Sequence, residues 1–163
     1  MQDKILIIAL GNDLLGDDGL GIVASAILRE RLHDIIEIED VFGGGLELLD
    51  LIEGKDKVLI LDSIQTGTNE IGTIMEIDPE KLSAFQAYSP HYIGLPDVLR
   101  LGKELNVKLP EIIKILCMEI PFSEEIKQGL SLKIKEKLPE FCKMAEQIIR
   151  QWGLDYYIRL ERF

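Results

Sequence analysis

The stretch Lys4–Gly21, KILIIALGNDLLGDDGLG, constrains this chain more than any other. Ile5–Leu10 is an uninterrupted apolar run, of the length and composition of a strand covered on both faces. Gly11 and Asn12 break it, since both tolerate the backbone angles of a sharp exit from a sheet. Asp17 and Asp18 follow, then Gly19 and Gly21, then Ile22, Val23, Ala26 and Ile27 at helical spacing. The pattern predicts strand, turn and helix, with two carboxylates where the helix begins. In an open α/β sheet that is the carboxyl edge, where ligands bind.

The remaining chain repeats the alternation. A first helix is expected from Gly19 or Leu20 to about His33, then a strand over Ile35–Val41. Gly43, Gly44 and Gly45 make a turn ahead of a short helix with Leu46, Leu48, Leu49 and Ile52, stopped by Gly54. Val58–Leu61 reads as a short strand that delivers Asp62 at its end. Ile71–Ile77 is a further strand, and Asp78-Pro79 opens a turn or a helical segment near Glu80–Phe85. Ser89-Pro90-His91 closes a loop before a helix carrying Leu95, Val98, Leu99 and Gly102 on one face.

Ile112–Cys117 supplies the fifth strand, and Pro121–Gly129 a charged loop. Ile134, Leu138, Phe141, Ala145, Ile148 and Trp152 alternate at spacings of four and three, the signature of an amphipathic helix ended by Gly153. Pro139 is expected to kink or split it. The tail 154–163 is aromatic and locally basic, suited to an added element or a partner contact. These elements predict one α/β domain over 1–163. Its form is a three-layer α/β/α sandwich around a mostly parallel five-stranded sheet, with room for one antiparallel strand.

Net charge is −11, which disfavours nucleic acid and anionic membrane surfaces and favours cationic partners. No apolar run reaches membrane-spanning length, and the opening residues do not read as a secretory leader, so a cytoplasmic location is expected. Cys117 and Cys142 sit in apolar patterns and read as buried thiols.

Phosphate chemistry does not fit the first turn. The Lys and Ser/Thr of a P-loop are missing, the glycines lack GxGxxG spacing, and Asp17 and Asp18 would repel a pyrophosphate. Nucleophilic catalysis fits poorly too. Ser63 adjoins Asp62, and neighbours on an extended chain point apart. A GxSxG elbow is absent, and Cys117 has no cationic neighbour in sequence. An aspartate at a helix start also caps free amides, and Asp62 also suits a turn. A loop histidine is commonly structural. Two carboxylates and the His91 imidazole together nevertheless suit a divalent metal with open positions. His33, in a charged helix end, reads as solvated.

With GNDLLGDDGLG at Gly11–Gly21, LILDSI at Leu59–Ile64 and SPHYIGLPDVL at Ser89–Leu99, the chain resembles the hydrogenase maturation endopeptidases. These are nickel-recognising proteases that process the large subunit of [NiFe] hydrogenases. Glu119–Pro121 and Gly129–Ser131 add weaker support, and the resemblance reaches to about Trp152. It implies Asp18, Asp62 and His91 as metal ligands and catalytic groups, with Asp17, Asn12 and Gly43–Gly45 in supporting or substrate-facing places. It further implies nickel supplied by or shared with the precursor, other divalent ions as substitutes, and the hydrogenase large-subunit precursor as partner. A non-catalytic nickel-sensing or carrier module docking on that precursor is the alternative. The chain departs from the family's Asp-Gly-Gly-Thr loop at Asp40–Gly45, where the threonine is lost, and the departure bears on precursor choice.

Overall fold

The computed structural model describes residues 3–32, 35–84, 95–123 and 125–154. Strands β1 (Ile5–Leu10), β2 (Glu37–Val41), β3 (Lys57–Ile64), β4 (Ile74–Ile77) and β5 (Ile112–Glu119) form one sheet in the order β2-β1-β3-β5-β4. The β1–β2, β1–β3 and β3–β5 pairs are parallel, and β4 runs antiparallel to β5. Helices α1 (Leu20–Leu32) and α4 (Leu132–Ile149) cover one face, while α2 (Leu46–Ile52) and α3 (Leu95–Glu104) cover the other. The three-layer sandwich and its one antiparallel strand are as the sequence predicts.

Strand alternation divides the core. Ile5, Ile7, Leu59, Leu61, Leu116 and Met118 pack with Phe141, Ala145 and Leu28 on the α1/α4 side. Leu6, Ile8, Val58, Ile60 and Ile115 pack with Leu48, Ile52 and Leu95 on the opposite side. The strands β1, β3 and the end of β5 are buried on both faces, which is why they read as continuous apolar runs.

The elements differ from the sequence reading at β3, α4 and β4. Strand β3 does not stop at Leu61. Its ladder continues through Asp62–Cys117, Ser63–Met118 and Ile64–Glu119, so Asp62 lies inside the strand rather than past its end. The ladder, not apolarity, sets the strand's length. Helix α4 is also a single element that runs through Pro139. Pro139 and Lys135 are both on the exposed side, so water can bond the carbonyl that proline leaves without a donor. The chain then turns through Arg150–Leu154, where Gly153 at φ 102° ends the helical path. Strand β4 begins at Ile74, three residues later than the sequence pattern suggests.

His33, the end of the 80–85 segment, the Ser89–Pro90 turn with His91, and tail residues 155–163 lie outside the described residues. Among the described residues, no helix is long and apolar enough to cross a membrane.

Candidate active site

Chain direction creates a crevice at the carboxyl end of β1. From β1 the chain crosses through α1 to β2 on one side, then returns through α2 to β3 on the other. Neighbouring strands thus send their following segments to opposite faces, and the gap between them is where α/β proteins bind ligands.

Glycine makes the crevice narrow enough to use. A Cβ on Gly21 would stand 2.7 Å from the Leu61 carbonyl oxygen and closer still to that of Leu10. A Cβ on Gly11 would collide with the Asp18 carbonyl oxygen. The start of α1 therefore sits directly on the end of β1 and on β3 at Leu61, and the turn after β1 folds back tightly. Asn12 shapes that turn. Its Oδ1 accepts the Leu14 N–H at 3.0 Å, while its own N–H donates to Asp18 Oδ2 at 3.0 Å. Gly16–Gly19 forms a 3₁₀ turn that carries Asp17 and Asp18 into α1.

The two carboxylates separate in role. Asp17 Oδ1 accepts the N–H of Ser131 at 2.6 Å, and Ser131 is the N-cap residue of α4. The sequence suggests a cap on the helix next to it; the structure gives that carboxylate to the start of a helix 114 residues away. A negative group there complements both the free amides and the dipole of an 18-residue helix.

Asp18 turns instead toward β3. Ser63 Oγ donates to Asp18 Oδ1 at 3.2 Å, and the Ser63 N–H donates to Asp62 Oδ1 at 2.7 Å. One serine thus links the two acids that the sequence singles out. Asp62 is wholly buried and Ser63 nearly so. A buried carboxylate needs charge or hydrogen-bond compensation, and this position on β3 supplies part of it.

Sequence reasoning missed Ser63 in this role. It set Ser63 aside because adjacent side chains on a strand point apart, yet that divergence lets its hydroxyl reach Asp18 while its amide stays on Asp62. Glu119 was missed as well. This buried acid at the end of β5 accepts the Thr66 N–H at 2.8 Å, Thr66 Oγ1–H at 2.7 Å and the Gly67 N–H at 3.0 Å. It anchors the loop that leaves β3 just beyond Asp62. No local sequence signal marks either contact.

The thiols are unsuited to nucleophilic work. Cys117 is opposite Asp62 in the ladder and donates to the Met75 carbonyl at 3.6 Å. Burial pushes its thiol well above the usual range, and the charges of Asp62 and Glu119 push it further. Cys142, in α4, is pushed up to about 11, mainly by burial.

The glycine-rich segment lies at the same edge, after β2. Gly45 takes φ 83° immediately before α2, and the Gly11 N–H bonds the Val41 carbonyl at 3.3 Å to hold the two exits together. Asp40 is engaged elsewhere. It accepts Ser25 Oγ–H at 2.6 Å and the Arg29 guanidinium at 3.0 Å. The structure therefore puts Asp18 in hydrogen-bond contact with Ser63, the residue after Asp62, ties Asn12 to Asp18, and keeps Gly43–Gly45 one strand beyond β1. Among the described residues no cluster of three His, Cys, Asp or Glu side chains could hold a metal ion. His91, the third member of the expected set, lies outside them.

A cavity of about 300 Å³ opens beside the carboxylates, with Asp17, Asp18, Leu15, Gln65 and Phe122 in its walls. A roomier hollow of about 560 Å³ lies between Pro79 and α3. Its contact with Ile112–Lys114 puts it at the amino end of β5, away from both acids.

Comparison with known proteins points one way. The family model described as HycI, hydrogenase maturation protease, matches residues 28–148. The hydrogenase 2 maturation protease of Escherichia coli K12 is 30% identical over 156 residues, covering 93% of this chain and 94% of that protein. A putative hydrogenase maturation protease of Methanocaldococcus jannaschii is 35% identical over 139 residues, covering 82% and 88%. Among solved structures, the hydrogenase maturating endopeptidase HybD from E. coli aligns with TM-score 0.78 at 30% identity, covering 94% of each chain. The [NiFe] hydrogenase maturation protease HybD from Thermococcus kodakarensis aligns with TM-score 0.70 at 29% identity, covering 91% and 99%.

Proposed function

This chain belongs to the hydrogenase maturation protease family, and we propose that it removes a carboxyl-terminal peptide from a [NiFe] hydrogenase large-subunit precursor. The residues assigned to the work are Asp18, Asp62 and His91. The observation that carries the assignment is the Ser63 bridge. Two acids 44 positions apart in sequence are held through one side chain at the sheet's switch point.

Nickel belongs to the substrate in this reading, entering as part of the precursor. The donor set fits it: two carboxylates and an imidazole suit a divalent ion, and other divalent ions fit the same groups. When bound, such an ion polarises a carbonyl or acidifies a water. The chain's own residues perform the positioning. Asn12 N–H and Ser63 Oγ–H hold the two oxygens of Asp18, fixing its plane. The Ser63 N–H holds one oxygen of Asp62. Gln65, at the edge of the adjoining cavity, donates to the Pro121 carbonyl at 3.4 Å and ties the β3 exit to the β5 exit. Preorganised carboxylates of this kind can take a proton from a water that attacks the scissile carbonyl, then deliver it to the departing amine.

Incubation with a nickel-loaded precursor tests the reading. A shortened large subunit and a released peptide support it. A stable complex with uncut precursor favours the carrier module instead.

A further inference from the structure

Large apolar side chains that remain exposed gather at the active edge. Leu14 is 50% exposed after β1, and Ile126 is 85% exposed after β5. A parallel bridge between Leu15 and Lys127 sets these two segments side by side. The Gly16 N–H bonds the Lys127 carbonyl at 2.6 Å, and the Lys127 N–H bonds the Leu14 carbonyl at 3.0 Å. Leu15 and Ile120 stand in the walls of the cavity that reaches Asp18. Across the edge, Phe42 and Leu46 are also exposed, beside the glycine-rich turn. Single exposed leucines need no explanation, but an apolar set around a cavity at the catalytic carboxylates does.

Size and charge narrow the occupant. At about 300 Å³ the cavity is at the low end for small-molecule sites, which run roughly 300–1,000 Å³, and it suits side chains of a polypeptide better than a cofactor. Among the described residues its walls carry Asp17, Asp18 and Glu125 against one base, Lys127, on a protein of net charge −11. That field favours a partner whose charges are positive.

We infer that the segments around Leu14–Gly16, Ile120–Ser123 and Glu125–Lys127 form the docking cleft for the precursor protein. It takes an apolar stretch of the precursor flanked by basic rather than acidic side chains, and so places the adjoining chain at Asp18 and Asp62. The inference rests on the processing function proposed above and adds the surface through which the substrate is held. Leu14 and Ile126 are specificity-determining residues, acting on affinity and not on the chemical step.

The test measures precursor binding and processing by Leu14→Ser, Ile126→Glu and Ile126→Lys, with Leu105→Ser as a control on an exposed leucine just beyond α3. Each change at Leu14 or Ile126 is expected to raise the precursor Kd and KM about tenfold while leaving kcat within about twofold. Ile126→Lys weakens binding more than Ile126→Glu, and Leu105→Ser matches the wild type. Unchanged Kd and KM in the Leu14 and Ile126 variants overturn the docking cleft, as does a fall in kcat alone. A greater loss with glutamate than with lysine overturns its charge preference. If the wild type binds the precursor without cutting it and the variants weaken that binding, the cleft stands and the peptidase function fails. If the wild type does not bind the precursor, the cleft fails.

Discussion

Ser63 donates its hydroxyl to Asp18 across 3.2 Å while its backbone amide holds Asp62. The distance is long for a hydroxyl–carboxylate bond, so Ser63 orients Asp18 more than it binds it tightly. Removing the hydroxyl should therefore cost catalysis more than stability. Ser63→Ala is expected to lower kcat for precursor processing about tenfold, with KM little changed, and to destabilise the fold by about 1 kcal/mol. Steady-state kinetics and a denaturant melt read the two effects separately.

The Asp17–Ser131 contact predicts the opposite balance. Asp17→Ala leaves the Ser131 amide and the start of α4 without their acceptor. A loss of about 1–2 kcal/mol is expected, and Asp17→Asn should recover part of it because the amide oxygen still accepts. Urea titration of the three proteins checks the order. Equal stability of wild type and Asp17→Ala would remove the cap from the account.

Gly21 is where the first motif is least negotiable. An added methyl would meet the Leu10 and Leu61 carbonyls, which are backbone and cannot swing aside. Gly21→Ala is expected to cost about 3 kcal/mol or more, since α1 must lift from both strands. A thermal melt within a degree of wild type would mean that the helix start is looser than the geometry indicates.

Cys142 gives a pH signature. Its folded-state thiol is pushed up to about 11 by burial, above the value of an unfolded thiol near 8.5. The folded protein therefore keeps the proton while the unfolded chain releases it. Stability falls as pH climbs through the unfolded value and levels off above about 11, with this group contributing about 3–4 kcal/mol. Cys142→Ala should show a shallower decline between pH 8 and 10.5 than wild type in denaturant titrations. An identical slope would exclude the thiol.

What the sequence reveals and hides follows from the range of each interaction. The apolar runs of β1 and β3 and the four–three spacing in α4 are local patterns, and they give the sandwich and its layers. Strand β3 is misjudged at Asp62 because a charge ends the apolar run, whereas the β5 ladder carries the strand to Ile64. The double glycine–aspartate motif marks the carboxyl edge correctly. It cannot divide labour between Asp17 and Asp18, because their partners Ser131 and Ser63 lie on other elements. Pro139 misleads for a related reason. A proline on an exposed helical face leaves its carbonyl to water and need not break the helix.

The most direct measurement compares processing of a nickel-loaded precursor by wild type, Asp18→Asn, Asp62→Asn and His91→Ala, with His33→Ala as control and circular dichroism to verify folding. The shared site predicts that wild type and His33→Ala yield the shortened large subunit, while each of the other three, still folded, yields none. Processing at the wild-type rate by folded Asp18→Asn, Asp62→Asn and His91→Ala would contradict it.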